Sequence, residues 1–400
     1  MKSANSQLIK NLNQQIVLNL IRKYGPVSGA DLAKRTKLQP ATTSKILRAL
    51  HEIGLIRDAG IGESTKQGGK RPNLWALEPE FGYIIGIEIL PFEMRGVLLN
   101  FESRIVMQKT TTYELSINAS NIVELVYELV RSLCQSSRVA MKKVIGVGLG
   151  VSGLVDAAEG IVRFSIGLGL ENFPIRDNLK TKIRLNTIVD NDANMAAVGE
   201  KWIGSSVNDR HLVYITVNEA VTGIGCGVVL DGQLFRGVTH SAGEVTLALP
   251  ALSDLYREAG EETDIPGKKM PDSVKLTMLS LINSAQNGDE SARLTLVKLG
   301  KILAQEVARI IDFINPNSIV FGGDIVEAEH MILEPMREEV KKRALALPYE
   351  AVSIRMTSFG PYAVAIGAGA VVFKEIFKET ASAVRHVFAV PKCNRVRTGA

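Results

Sequence analysis

Two groups of side chains in this 400-residue chain have types and spacings that could do chemistry. The first is Thr42, Thr43, Ser44, Lys45 and Arg48, followed by Lys70 and Arg71 beside Gly68 and Gly69. Short hydroxyl side chains let a backbone come close to a DNA groove, where they and the longer cations reach phosphates or base edges. The second is Asn191-Asp192, which follows the apolar run Thr187–Asp190 and opens a helical pattern. A carboxylate is favoured at a helix N-terminus, and such a pair can hydrogen-bond a polar ligand. Each group also has a plainer reading. Asn and Asp are preferred helix caps without any ligand, and the cations could be the solvated face of a three-helix module that binds protein.

The elements that must hold the first group are legible between Asn5 and Leu77. Leu8, Ile9, Leu12, Ile16, Leu18, Leu20 and Ile21 fall at mostly helical spacing, which predicts one amphipathic helix ended by Gly25-Pro26. Ser28 is placed to cap a short helix through Thr36. Leu38-Gln39-Pro40 then turns the chain, with Pro40 in the first turn of a helix to about His51. That helix should bury Ile46, Leu47 and Leu50 and present Thr42, Thr43, Lys45 and Arg48 on its opposite face. Leu55–Asp58 and Leu74–Leu77 read as strands flanking a wing that carries Lys66, Lys70 and Arg71, suited to a minor groove or its flanking phosphates. Together they predict a winged helix-turn-helix.

Charge supports that placement. Residues 1–80 hold 13 Lys/Arg against 6 Asp/Glu, whereas the remaining 320 residues hold 34 against 36. The positive excess therefore sits on the segment that reads as a DNA binder, as an electrostatic footprint should. Hydrophobic content of 46% with 22% charged residues is that of a soluble globular protein. Polar residues interrupt every apolar stretch before Gly25, so no signal peptide is expected. The runs Val144–Val155 and Ala363–Phe373 are too short and glycine-rich to span a bilayer, so no membrane partner is expected either. Cys134, Cys226 and Cys393 form no CxxC pair, which suits a reduced cytoplasm.

From Gly82 onward, strands rich in Ile, Val and Gly alternate with longer helices, an α/β pattern. Tyr83–Ile89 with Gly96–Leu99, and Leu212–Val217 with Gly225–Leu230, repeat a strand–turn–strand opening about 130 residues apart. That repetition predicts a duplicated body with a cleft between its halves. The segments GKRPNLWALEPEFGYIIGIEI (69–89), IGVGLGVSGLVDAAEGIV (145–162), VDNDANMAAVGEKW (189–202), TGIGCGVVLDGQLFRGVTHSAGE (222–244) and IVFGGDIV (319–326) occur in this order. With them the chain resembles the ROK family of repressors, open reading frames and kinases, from about Gln7 to Phe377.

The resemblance implies a winged helix-turn-helix over 1–80 and a two-lobed, actin/hexokinase-like (ribonuclease H-like) body. The first lobe would cover 81–195 and the second 196–378, with the last helix packing back on the first lobe and a flexible tail from 379. It also implies a sugar in the cleft, held by Ser152, Gly153, Asn191, Asp192 and Glu244. Asp192 would be the base of phosphoryl transfer only in a kinase.

Departures from the family pattern point away from that chemistry. Its kinases carry an Asp-x-Gly-Gly-Thr-Lys phosphate turn; this chain has Glu88-Ile89-Leu90-Pro91-Phe92-Glu93. Leu90 and Pro91 remove backbone freedom and an N–H donor, and Glu93 repels phosphate where lysine would attract it. Phosphoryl transfer depends on such positioning and charge neutralisation. The glycines of 222–227 survive, although Val221 replaces one, and Gly322-Gly323 match the adenosine-side loop. They could serve a nucleotide, or simply permit tight strand–helix connections. The family's zinc ligands are missing: Leu247 stands where its histidine is expected, and no cysteine lies between Cys226 and Cys393. Gly167 stands where relatives often place asparagine. Zinc and ATP are not expected. The expected function is a cytoplasmic, sugar-responsive repressor acting as a homodimer or larger symmetric assembly on double-stranded operator DNA. The alternatives are an ATP-dependent sugar kinase and a DNA-bound scaffold with an empty cleft.

Overall fold

The computed structural model describes residues 2–63, 71–218, 224–245, 250–262 and 277–378. The wing tip with Lys66, Gly68, Gly69 and Lys70, the glycine turn at Thr222-Gly223, Leu247 and the tail from 379 lie outside the described residues.

The N-terminal domain opens with the helix Lys2–Tyr24. Val17, Leu18 and Ile21 are buried, while Leu8, Ile9 and Leu12 are more than half exposed. Ser28 caps the helix Gly29–Thr36 by accepting from the Asp31 N–H at 3.1 Å, the arrangement its position predicted. Pro40 starts the next helix, Pro40–Ile53, and Gly54 ends it at φ 87°, a left-handed position that suits glycine. Strands Ile56–Ile61 and Asn73–Leu77 pair antiparallel, and the short strand Val27–Ser28 joins the latter to complete a three-stranded sheet.

The body contains two sheets of matching order. In the first lobe the sequence across the sheet is Ile105–Thr112, Glu93–Asn100, Tyr83–Leu90, Val144–Val151 and Thr187–Asn191. In the second it is Gln233–Phe235, Ile224–Leu230, Leu212–Val217, Ser318–Gly323 and Ser353–Met356. Each has three antiparallel strands followed by two parallel ones, with Glu244–Val245 added beside Ile224–Leu230 in the second. The repeated opening in the sequence is thus a repeated topology. The helix Glu290–Ile314 sends Leu296, Leu299, Leu303, Val307 and Ile311 into the second lobe's core.

The helix Ala363–Lys378 crosses between the halves. Its Ala365 and Ala368 carbonyls lie so close to the first sheet that a Cβ on Gly86 or Gly148 would approach them within 1.9 and 2.0 Å. Gly367 is equally close to Met195 of the helix Asp192–Trp202, where a Cβ would stand 2.1 Å from its carbonyl oxygen. The segment Gly360–Lys378 is longer than the apolar run seen in the sequence, and it has the length and composition of a membrane span. Here it is the central, mostly buried helix of the body.

No soft linker separates the DNA-binding domain from the body. Val17, Leu18 and Ile21 share one apolar core with Ile84, Val97, Phe101, Phe373 and Phe377. The carbonyls of Phe377 and Lys378, at the end of the central helix, accept from Asn19 and Gln15. Arg22 stacks 4.2 Å over the Trp202 ring and donates to the Trp202 carbonyl at 3.1 Å.

Candidate functional site

On the DNA-binding domain, Ser44, Lys45 and Arg48 are exposed and Thr42 is half-buried on the helix Pro40–Ile53. Thr43 corrects the sequence reading: it is 1% exposed, and its hydroxyl donates to the Gln39 carbonyl at 3.4 Å. The reason is periodic, because positions 43, 46, 47 and 50 fall on one helical face, the buried one. Gln39, the exposed residue before this helix, has no capping hydrogen bond and faces the end that would enter a groove. It went unnoticed in the sequence, although its place just before Pro40 was the available signal. Arg71 is exposed at the foot of the wing. Lys70 lies outside the described residues.

In the body, strand pairing brings the sugar-site candidates together. Val151 and Asn191 are register partners, so Ser152-Gly153 leaves the sheet beside Asn191-Asp192. Asn191 caps the helix Asp192–Trp202 by accepting from the Asn194 N–H at 3.1 Å, and donates to the Gly153 carbonyl at 3.0 Å. Gly153 has φ 123°, and a Cβ there would stand 2.3 Å from the Phe164 carbonyl oxygen, so a side chain is excluded twice over. Glu244 pairs with Gly225, whose missing Cβ would face the Asp192 carboxylate at 3.8 Å. Asn191, Asp192 and Glu244 therefore converge from both lobes.

Burial pushes the Asp192 carboxyl up to about 7, with Glu244 nearby adding to the effect. Glu244 stands at the rim, open to solvent on one side, and crowding on the other raises its carboxyl as well. Behind them Glu88 is 1% exposed and pushed up to about 8, first by burial and then by Asp192, Asp324 and Glu93, against the pull of Arg95. Glu88 Oε2, Tyr214 OH, Thr216 Oγ1 and both polar atoms of Asn218 are buried with no hydrogen-bond partner among the described residues. Buried polar atoms are rarely left so, and this group gives the cleft floor unused capacity for ligand hydroxyls or water.

The position of the lost phosphate turn is filled by the protein itself. Leu90 pairs with Glu93 across the two-residue turn Pro91-Phe92. Pro91 packs on Gly167, where a Cβ would stand 2.9 Å from the proline ring. The two departures from the family pattern, proline in the turn and glycine in the loop, thus touch each other. Arg95, on the returning strand, lies 3.7 Å from Glu88 and pairs with Glu93. Its other nitrogens donate to Asp324 at 3.0 Å and to the Pro361 carbonyl at 3.2 Å. Arg95 ties the first lobe to the loop that follows Gly322-Gly323.

The surviving glycines have packing reasons of their own. A Cβ on Gly227 would lie 2.3 Å from the Ala193 carbonyl oxygen, and one on Gly322 would strike the Tyr214 hydroxyl. Gly323, at φ 87°, sits against Asn218 and Val217. Gly227 thus meets the helix Asp192–Trp202, whereas Gly322 and Gly323 meet the neighbouring strand Leu212–Val217 and the residue after it. Among the described residues, no group of three or more His, Cys, Asp or Glu side chains could hold a metal ion.

Comparison with known proteins matches the ROK family over residues 84–375 and a winged helix-turn-helix DNA-binding domain over residues 11–57. The chain is 24% identical to the xylose repressor of Caldicellulosiruptor bescii over 398 residues, covering 93% of this chain and 98% of that one. It is 27% identical to the xylose repressor of Bacillus subtilis over 387 residues, covering 93% and 97%. It is 24% identical to the DNA-binding transcriptional dual regulator NagC of Escherichia coli over 370 residues, covering 85% of this chain and 87% of that one. Among solved structures, a ROK family transcriptional regulator, a homologue of the Escherichia coli MLC protein, superposes with a TM-score of 0.75. It has 19% identity, with 95% of this chain and 99% of that one covered. A ROK family glucokinase from Streptomyces griseus, in complex with glucose and AMPPNP, superposes with a TM-score of 0.63 at 20% identity over 72% of this chain and 99% of that one. The chain belongs to the ROK family and carries a winged helix-turn-helix DNA-binding domain in front of the ROK body.

Proposed function

We propose that this chain is a cytoplasmic, sugar-responsive transcriptional repressor. The observation that carries the reading is the shared core of DNA-binding domain and body, sealed by Gln15 and Asn19 on the end of the central helix. A change of lobe angle caused by a sugar between Asn191, Asp192 and Glu244 would be felt at the recognition helix without crossing a loose linker. Such a ligand must bind the two arrangements with different affinity to shift operator binding. The repressor names of the similar full-length proteins support the same reading.

A homodimer would set two recognition helices on half-sites roughly 34–36 Å apart, or a multiple of that spacing. Ser44, Lys45 and Arg48 would meet the major groove, and Lys70 and Arg71 the minor groove or its phosphates. Arg71→Ala should weaken operator binding and lower its salt slope by about 1. An unchanged slope in a salt-titrated gel shift removes the wing from the interface.

Xylose and N-acetylglucosamine, the sugars in names of similar proteins, head a thermal-shift panel followed by gel shifts with the best binder. A sugar that raises the melting temperature and changes operator affinity, with both effects lost in Asp192→Asn, supports the proposal. A panel with no binder favours a scaffold with an empty cleft. The kinase alternative draws on Asp192, whose carboxyl near 7 suits a base. Against it stand Pro91 and Phe92, which close the hairpin where the kinases carry their phosphate turn, and Arg95, whose guanidinium is taken up by Glu93 and Asp324. Sugar-dependent ADP release, abolished by Asp192→Asn, would overturn the repressor-only reading.

A further inference from the structure

A pocket of about 1000 Å³ opens on the body away from the cleft, and none of Ser152, Asn191, Asp192 or Glu244 lines it. Its walls come from the turn at Ala157-Ala158, the helix Ile175–Ile183 with its cap Arg184 and the stretch to Ile188 that follows, the second-lobe segment with Arg236 and His240, and the central helix at Val371 and Glu375. That volume is at the upper end for small-molecule sites.

The charges around it do not balance. Arg176 is committed to the Ala158 and Glu159 carbonyls and lies 4.0 Å from Asp177. Arg236 pairs with the buried Asp190, but its Nε is buried with no hydrogen-bond partner among the described residues. His240 Nδ1 is in the same state. Lys180 and Arg184, four residues apart, make no ion pair among the described residues, and neither does Lys374 behind Arg236. Burial pushes the Lys374 ammonium down, and the Lys378 and Arg236 charges push it further than Glu375 and Asp190 restore it. Like charges gathered in a concave site, with donors unused, call for an anion. Leu185, Ile188 and Val371 add an apolar wall for the organic part of a ligand.

We propose that this pocket binds a small organic phosphate monoester, held by Lys180, Arg184, Arg236 and His240, independently of the sugar cleft. Guanidinium forks match phosphate oxygens, and a dianion offsets the local cation excess. The site would also have a route to the output. Val371 and Glu375 line it, and the next turn of the same helix presents the Phe377 and Lys378 carbonyls that hold Asn19 and Gln15. An occupied pocket would bias where the DNA-binding domain sits. Binding itself stands apart from the repressor reading; only its effect on operator affinity rests on that reading.

The test is calorimetry on the full chain with glucose 6-phosphate and ribose 5-phosphate, each compared with its unphosphorylated sugar and with inorganic phosphate. Saturable binding of a monoester is expected, retained in Asp192→Asn and weakened at least tenfold in Lys180→Ala/Arg184→Ala. Both substituted side chains are exposed, so the variant should melt like the parent. Binding lost in Asp192→Asn but intact in the double variant would place the monoester in the sugar cleft and overturn the proposal. So would binding of inorganic phosphate alone, or no binding at all. A double variant that lowers DNA affinity in gel shifts while leaving monoester binding intact would assign the cations to the DNA backbone instead.

Discussion

The two lobes open with equivalent hairpins that have gone separate ways. In the first, Tyr83–Leu90 and Glu93–Asn100 are joined by Pro91-Phe92, a closed turn with Arg95 beside it. In the second, Leu212–Val217 and Ile224–Leu230 are joined by the longer segment 218–223, and Gly225 and Gly227 of the returning strand meet the helix Asp192–Trp202. One topology has produced an ion-paired brace in one half and a close-packed wall for the ligand cleft in the other. The fold tolerates Leu90, Pro91 and Phe92 in this turn, because sheet order and core packing do not depend on it.

The largest expected effect lies in the first hairpin. Arg95→Ala removes the cation shared by Glu93 and Asp324 and the tie to the Pro361 carbonyl, and losing hydrogen bonds to charged groups costs about 1.5–3 kcal/mol. Denaturant unfolding at pH 7 should show that loss, with Glu88→Gln in the same chain changing it little, because burial already keeps Glu88 protonated. A neutral Arg95→Ala would mean that the brace is idle. Gly227→Ala probes the second hairpin, where the new methyl would lie 2.3 Å from the Ala193 carbonyl oxygen. Overpacking there should cost about 1–3 kcal/mol and weaken sugar binding, because it displaces the helix that carries Asp192.

A pH titration separates the halves further. Burial pushes the Glu88 carboxyl from its ordinary 4.5 up to about 8 and that of Asp192 from 3.8 up to about 7. The folded state therefore holds protons that the unfolded chain releases, and stability falls as pH rises from about 4 to about 8. Below that window their contribution is fully present. Asp192→Asn should flatten the lower part of the slope, and Glu88→Gln the upper part. A parent whose stability is constant over this range would refute the buried-acid account.

The smallest effect sharpens the link between turn and sugar loop. Gly167→Asn alone should lose about 1 kcal/mol through contact with Pro91, and be nearly neutral when combined with Pro91→Gly. Additive costs would show that the two departures are unrelated.

Much of the fold was legible because it is written in short-range periods. The Ser28 cap, Pro40 at a helix start and the apolar rows of the strands each depend on residues a few positions apart. Thr43 was misplaced, although the same arithmetic placed it with Ile46, Leu47 and Leu50; its hydroxyl suggested a groove where spacing required a core. Leu8, Ile9 and Leu12 had helical spacing, but spacing alone does not state whether another element covers that face.

By itself the sequence determined a DNA-binding motif with a positive excess, a duplicated α/β body, and the loss of the residues a phosphate turn needs. Only the tertiary structure decided what replaced that turn. Arg95 meets Asp324 across 229 residues of chain, Pro91 meets Gly167, and Gln15 meets Lys378 across 363. Local propensity is set by neighbours within a turn or two, whereas these contacts exist only once strand order and helix packing have brought remote segments together.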